Sequence, residues 1–94
     1  MDPVLEKVRE LTAQMLRLKL DDVGPDASLT ADLAAESVDL LELRFLLEKA
    51  FKIPMGEKEL REAAKGTAPA EMARNFTCRS IAAHISARLP KSGP

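Results

Sequence analysis

Leu33-Ala34-Ala35-Glu36-Ser37-Val38-Asp39-Leu40-Leu41-Glu42-Leu43 is the stretch that decides how this chain folds. From Ser37 onward the apolar residues recur at helical spacing. At 100° per residue Leu40, Leu43, Leu46, Leu47, Ala50 and Phe51 share one broad face. This predicts a helix from Ser37 to about Phe51 with that face in a core. It stops ahead of Pro54, because the residue before a proline prefers extended geometry. Val38, Leu41 and Phe45 fall together on a different face. Spacing alone leaves that second stripe as either extra core beneath a loop or a docking surface.

Upstream, Asp2 followed by Pro3 reads as a cap with proline at the first helical position. Val4, Val8, Leu11, Met15 and Leu18 then recur at helical spacing, widened by Leu5 and Leu16, so a first helix should end near Leu18 to Leu20. Asp21-Asp22-Val23-Gly24-Pro25-Asp26 is turn chemistry. It opens a long loop anchored by Leu29 and Leu33. Downstream, Glu57 to Lys65 suits a short third helix closed by Gly66, and a brief fourth is expected from Pro69 to about Phe76. The last starts at the cap Thr77, turns Ile81, Ile85 and Leu89 inward and stops at Pro90. The expected fold is all-α: a small antiparallel bundle of three main helices plus one or two short ones, with a long acidic loop between helices one and two.

The 94 residues fit a single domain, residues 1–94. Hydrophobic residues form 46% of the chain, enough for a core, and with no Trp or Tyr that core must be built from aliphatic side chains. One cysteine, Cys78, excludes an internal disulfide and points to a reducing compartment. No apolar run reaches the length of a membrane span, and Met1-Asp2-Pro3 does not open a secretory signal. The expectation is a cytoplasmic monomer without membrane insertion. Net charge is only −1, but it is unevenly spread. Asp21, Asp22, Asp26, Asp32, Glu36, Asp39 and Glu42 follow one another with no base among them, whereas Lys65, Arg74, Arg79, Arg88 and Lys91 outnumber Glu71 in the last third. An acidic patch favours partners with basic surfaces. Nucleic-acid binding lacks both a basic face and stacking aromatics.

Chemistry concentrates at Ser37. A serine at a helix start commonly serves only as a cap. Its hydroxyl also stands at the positive end of the helix dipole, where an attached phosphodiester gains about 0.3–1 kcal/mol. No base lies beside it in sequence, so self-activation as a nucleophile is not expected. Cys78 and His84 sit six residues apart and point in different directions, with no acid to orient them. One Cys and one His do not make a metal site either. Cys78 reads as a small packed side chain and His84 as a partly exposed one.

Glu36-Ser37-Val38, followed by Asp39 and Leu40, resembles the acyl carrier protein signature, in which an acid–serine–aliphatic triplet opens the second helix. Ala27-Ser28-Leu29-Thr30-Ala31-Asp32-Leu33 is similar to that family's loop, and Leu47-Glu48-Lys49-Ala50-Phe51-Lys52-Ile53-Pro54 to the end of its second helix. The resemblance spans the chain and implies a non-catalytic carrier. In that reading a phosphopantetheinyl transferase attaches 4'-phosphopantetheine to Ser37, and acyl chains ride on its thiol as thioesters for fatty-acid or lipid biosynthesis. It further implies that acyl-loading and acyl-transfer enzymes with basic docking surfaces meet Glu36, Asp39 and Glu42 as charged contacts, and Val38, Leu41 and Phe45 as apolar ones.

Three features depart from the common pattern. Glu36 stands where aspartate is usual. Arg44, Lys49 and Lys52 put positive charge on and after a helix that is strongly acidic in typical members of the family. The segment from Gly56 to Phe76 is longer than usual and, with Ile53-Pro54-Met55 and Phe76-Thr77-Cys78-Arg79-Ser80-Ile81, resembles specialised carriers that hold very long acyl chains for lipid A. The alternatives are an aminoacyl, peptidyl or polyketide carrier, and, in a different class, an unmodified helical interaction module that binds through Val38, Leu41 and Phe45.

Overall fold

The computed structural model describes residues 2–64 and 69–89. Among them are five α-helices: α1 Pro3–Leu16, α2 Ser37–Phe51, α3 Glu57–Glu62, α4 Pro69–Asn75 and α5 Cys78–Arg88. A 3₁₀ turn over Leu20–Asp22 follows α1.

The start of α1 follows from its sequence. Asp2 Oδ1 accepts hydrogen bonds from the backbone N–H groups of Val4 at 3.0 Å and Leu5 at 3.4 Å, and Pro3 holds the first helical position, where no N–H is needed. Val8, Leu11 and Met15 turn into the core, with Val4, Leu5 and Leu16 packed at its edge. The helix stops at Leu16, short of the expected Leu18 to Leu20. Arg17 swings into the left-handed region at φ 59°, which lets the N–H of Leu18 reach back to Ala13 O at 2.9 Å. That bond satisfies a carbonyl that the helix end would leave open. Leu18 consequently leaves the apolar stripe and is 37% exposed.

α2 has the expected bounds. Lys52 terminates it in the left-handed region at φ 55°, its N–H bonded to Glu48 O at 2.8 Å. Leu43 and Leu47 are fully buried, and Leu40, Leu46 and Phe51 pack at the margin. Ala50, expected in the core, is exposed. The reason is packing: α2 lies mainly against α1, with α3 touching it more lightly, so its buried arc is narrower than its apolar arc. Two charged side chains then fasten the turn that follows. Met55 N–H donates to Glu48 Oε2 at 2.7 Å, and Arg44 Nε donates to Met55 O at 3.1 Å.

α3 ends at Glu62, earlier than the expected Lys65, and Ala63 and Ala64 are buried just beyond it. Lys65 and Gly66 lie outside the described residues, as do Pro90 and Lys91. α5 is capped by Thr77 as expected: Thr77 Oγ1 accepts from Ser80 N–H at 3.0 Å, and Ser80 Oγ accepts from Thr77 N–H at 3.0 Å. This reciprocal pair satisfies two orphan donors at once. Ile81 and Ile85 are completely buried, and Leu89 is half-buried.

The long loop between α1 and α2 is held from both sides. Arg9 of α1 donates to Val23 O at 2.7 Å and Leu20 O at 3.1 Å. From the other side, Leu29 N–H donates to Phe76 O at 2.9 Å, Ser28 Oγ donates to Ala73 O at 2.6 Å, and Arg79 N–H donates to Pro25 O at 2.9 Å. Val23 and Leu29 plug completely into the core, and Leu33 packs at its edge. Each such aliphatic side chain contributes about 1.5–3 kcal/mol by leaving water. The loop is thereby tied to α1 on one side and to α4 and α5 on the other, ahead of the start of α2.

Candidate functional site

Ser37 is the first residue of α2, not its cap. The cap is Glu36, whose N–H donates to Asp39 Oδ2 at 2.9 Å. Approach to this point runs through Ala34, which takes a left-handed φ of 57°, while Ala35 N–H donates to Leu29 O at 2.8 Å. The chain is thus turned sharply out of the loop, and Ser37 emerges exposed on the positive end of a 15-residue helix. Its hydroxyl has no hydrogen-bond partner among the described residues. The hydroxyl therefore plays no part in capping α2.

A cavity of about 440 Å³ opens beside Ser37. Leu40 and Leu41 of α2, Leu60 of α3, Met72 of α4 and Phe76 form its apolar wall, with Thr30 near the loop. Arg44, Glu57 and Arg61 supply its polar lining, and Arg61 Nη2 pairs with Glu57 Oε1 at 2.7 Å. Pockets that take small apolar ligands are commonly about 300–1,000 Å³ with few polar groups. The arrangement suits an anionic linker at Ser37 with an apolar guest led inward. Thr30, Leu60, Met72 and Phe76 were not recognised from sequence as parts of this site. Their signal is tertiary, since four separate segments meet there.

The second apolar stripe of α2 faces solvent. Val38 is 66% exposed, Leu41 44% and Phe45 61%, which removes the reading of this stripe as extra core. Glu36 and Glu42 are exposed beside it. Asp39 is half-buried and occupied in holding the start of the helix, so it has a structural duty of its own.

Cys78 and His84 are not brought into a catalytic arrangement. Cys78 is fully buried, its Sγ 3.6 Å from Thr12 Oγ1, and burial pushes its thiol above the ordinary value. A thiol so placed is a poor nucleophile. His84 is half-buried, and its Nε2 is enclosed with no hydrogen-bond partner among the described residues. It borders a second hollow of about 710 Å³ with Asp26, Arg79 and Ser80. There Arg79 Nε donates to Asp26 Oδ1 at 2.7 Å, and that hydrogen bond holds the Asp26 carboxyl below its usual range. Among the described residues no group of acids, Cys or His is placed to hold a metal ion, and no helix is long and apolar enough to cross a membrane.

Comparison with known proteins places this geometry in context. Residues 6–85 match the family described as "Phosphopantetheine attachment site". The chain is 40% identical to the acyl carrier protein of Rubrobacter xylanophilus over 58 residues, which cover 62% of this chain and 72% of that one. It is 38% identical to the acyl carrier protein of Borreliella burgdorferi strain ZS7 over 61 residues, covering 65% of this chain and 76% of the relative.

Proposed function

Because this chain belongs to the phosphopantetheine-binding family of acyl carrier proteins, we propose that Ser37 is where its 4'-phosphopantetheine is attached, and that the cavity beside it receives the cargo. The observation that carries this reading is a first-turn hydroxyl, exposed and without a partner among the described residues, at the mouth of a largely apolar cavity.

The group supplies a flexible tether ending in a thiol that holds acyl chains as thioesters. The chain's own residues do the rest. Glu36 and Asp39 close the helix start between them, so Ser37 is not needed as its cap. The first-turn N–H groups and dipole of α2 offset the charge of the phosphodiester. Leu40, Leu60, Met72 and Phe76 exclude water from an apolar guest, each buried methylene contributing about 0.8 kcal/mol. Tethering raises the effective concentration of the cargo at a partner's active site. Among the described residues no base is hydrogen-bonded to the Ser37 hydroxyl, which suits a substrate of a transferase.

The cargo is an acyl chain of fatty-acid or lipid biosynthesis. The α3–α4 stretch supplies Leu60, Met72 and Phe76 to the cavity, and this added wall supports a long-chain specialisation. Enzymes dock on Glu36, Val38, Leu41, Glu42 and Phe45, whose exposure favours that use. The same exposure would serve an unmodified interaction module, so one experiment must separate the two. Incubated with a phosphopantetheinyl transferase and coenzyme A, the purified chain should gain the mass of one phosphopantetheine, and Ser37→Ala should gain nothing. An unmodified wild-type chain overturns the carrier reading. Intact mass of protein from its native host then reads the cargo, and only short acyl species there would overturn the long-chain specialisation.

A further inference from the structure

The exposed strip on α2 carries charges of opposite sign at its two ends. Val38, Leu41, Phe45 and Lys49 follow one another at spacings of three and four, so they lie along one face of the helix. Glu36 and Glu42 flank the end near Ser37, and Lys52 caps the other end. All four charged side chains are exposed. Among the described residues the ion pairs join Arg9 to Glu6, Arg61 to Glu57 and Arg79 to Asp26, leaving Lys49 and Lys52 unpaired. Glu48 turns its carboxylate to Met55 N–H, and Arg44 its guanidinium to Met55 O, so among the described residues Glu48 pairs with neither lysine. Glu42 and Lys49 are about 10 Å apart along the helix axis. That exceeds the screening length of about 8 Å at physiological salt, so a partner meets two separate poles. A helix dipole favours cations near a C-terminus, but it does not require that one continue the exposed apolar strip.

We propose that this strip recognises enzymes whose docking surface is itself bipolar: basic where it meets Glu36 and Glu42, apolar opposite Leu41 and Phe45, and acidic where it meets Lys49 and Lys52. The inference rests on the carrier reading and deepens it. Charge complementarity of this kind sets which partners are admitted, because like charges brought together repel. A uniformly basic docking surface meets attraction at one end of α2 and repulsion at the other. An anionic bilayer is disfavoured by the acids in the same strip.

A charge-swap cycle tests this. One probe is a phosphopantetheinyl transferase with a uniformly basic docking face. The other is the same enzyme with two of those basic residues, opposite the C-terminal end of α2, changed to Glu. Mass gain at Ser37 gives kcat/KM for each enzyme with the wild-type chain and with K49E/K52E. The wild-type chain should favour the partly acidic enzyme by about tenfold at low salt, and K49E/K52E should reverse that preference, both effects fading as salt rises. Equal responses of both chains to the enzyme's substitutions would overturn the bipolar strip and leave the carrier reading standing. No mass gain in any combination would overturn both. Wild-type binding to phosphatidylglycerol vesicles that K49E/K52E loses would assign the lysines to a lipid surface instead.

Discussion

Asp39 shows how one carboxylate can be read two ways from sequence and have only one duty settled by structure. It accepts the N–H of Glu36 at 2.9 Å and so holds the first turn that presents Ser37. Asp39→Ala should cost about 1 kcal/mol in a urea melt, as the loss of a helix-start hydrogen bond generally does. Asp39→Asn should recover most of it, since an amide oxygen also accepts. Equal losses in both variants would mean that charge, and not the hydrogen bond, does the work. Ala34 offers a second test. Its φ of 57° disfavours any side chain, and a branched one most of all. Ala34→Gly should leave stability within about 1 kcal/mol of the parent, whereas Ala34→Val should lower it by about 1–3 kcal/mol in the same melt. Cys78 makes a simpler point. Burial raises its thiol above the ordinary value, so alkylation by iodoacetamide should wait for unfolding rather than follow the pH of the buffer.

The helices were legible to different degrees, for reasons that can be named. α2 matches its expected span because its signals are local: an acid pair at the start, a proline shortly after the end, leucines between. Thr77 likewise announced α5. The end of α1 was not legible, because nothing in Arg17 marks it for a left-handed turn, and the apolar Leu18 invited an extension. Ala50 misled for another reason, since apolarity does not say how wide a neighbour will be. The loop before α2 was read as long and acidic, with Leu29 and Leu33 as anchors. Its lacing to α4 and α5 was not visible, because those partners lie some 45 to 53 residues away in the chain. Ser28→Ala should expose how much that lacing matters. It strips a hydroxyl that donates to Ala73 O and accepts from Ala31 N–H, at a cost of about 1–3 kcal/mol. The Asp26–Arg79 link behaves differently. Asp26 has its carboxyl lowered by the Arg79 hydrogen bond, so whatever the link contributes is present above the ordinary carboxylate value and is lost as pH falls through the lowered one. Protection of the Arg79 amide, taken relative to its intrinsic exchange rate at each pH, should fall in that acid range, and Asp26→Asn should remove this change in protection.

At the scale of the whole molecule, the place of Ser37 at the start of α2 was legible from its neighbours in sequence, while the cavity beside it was not, because its wall is assembled from α2, α3, α4 and Phe76, between α4 and α5. If that wall takes the cargo, stability should rise with acyl length. Each methylene accommodated adds about 0.8 kcal/mol, which in a domain of this size raises Tm by about 3–6 °C. Tm should climb along a series of acylated proteins and then level off where the chain outgrows the cavity. A flat series would mean that the cargo stays outside.

The loop ahead of Ser37 hangs on the same backbone that walls the cavity: Ser28 on Ala73 and Leu29 on Phe76. Any swelling of the interior that displaces Ala73 or Phe76 must be shared by the strap leading to the serine. The cavity wall and the approach to Ser37 are therefore joined through two hydrogen bonds, so a guest that displaced the wall would also alter how the serine is presented.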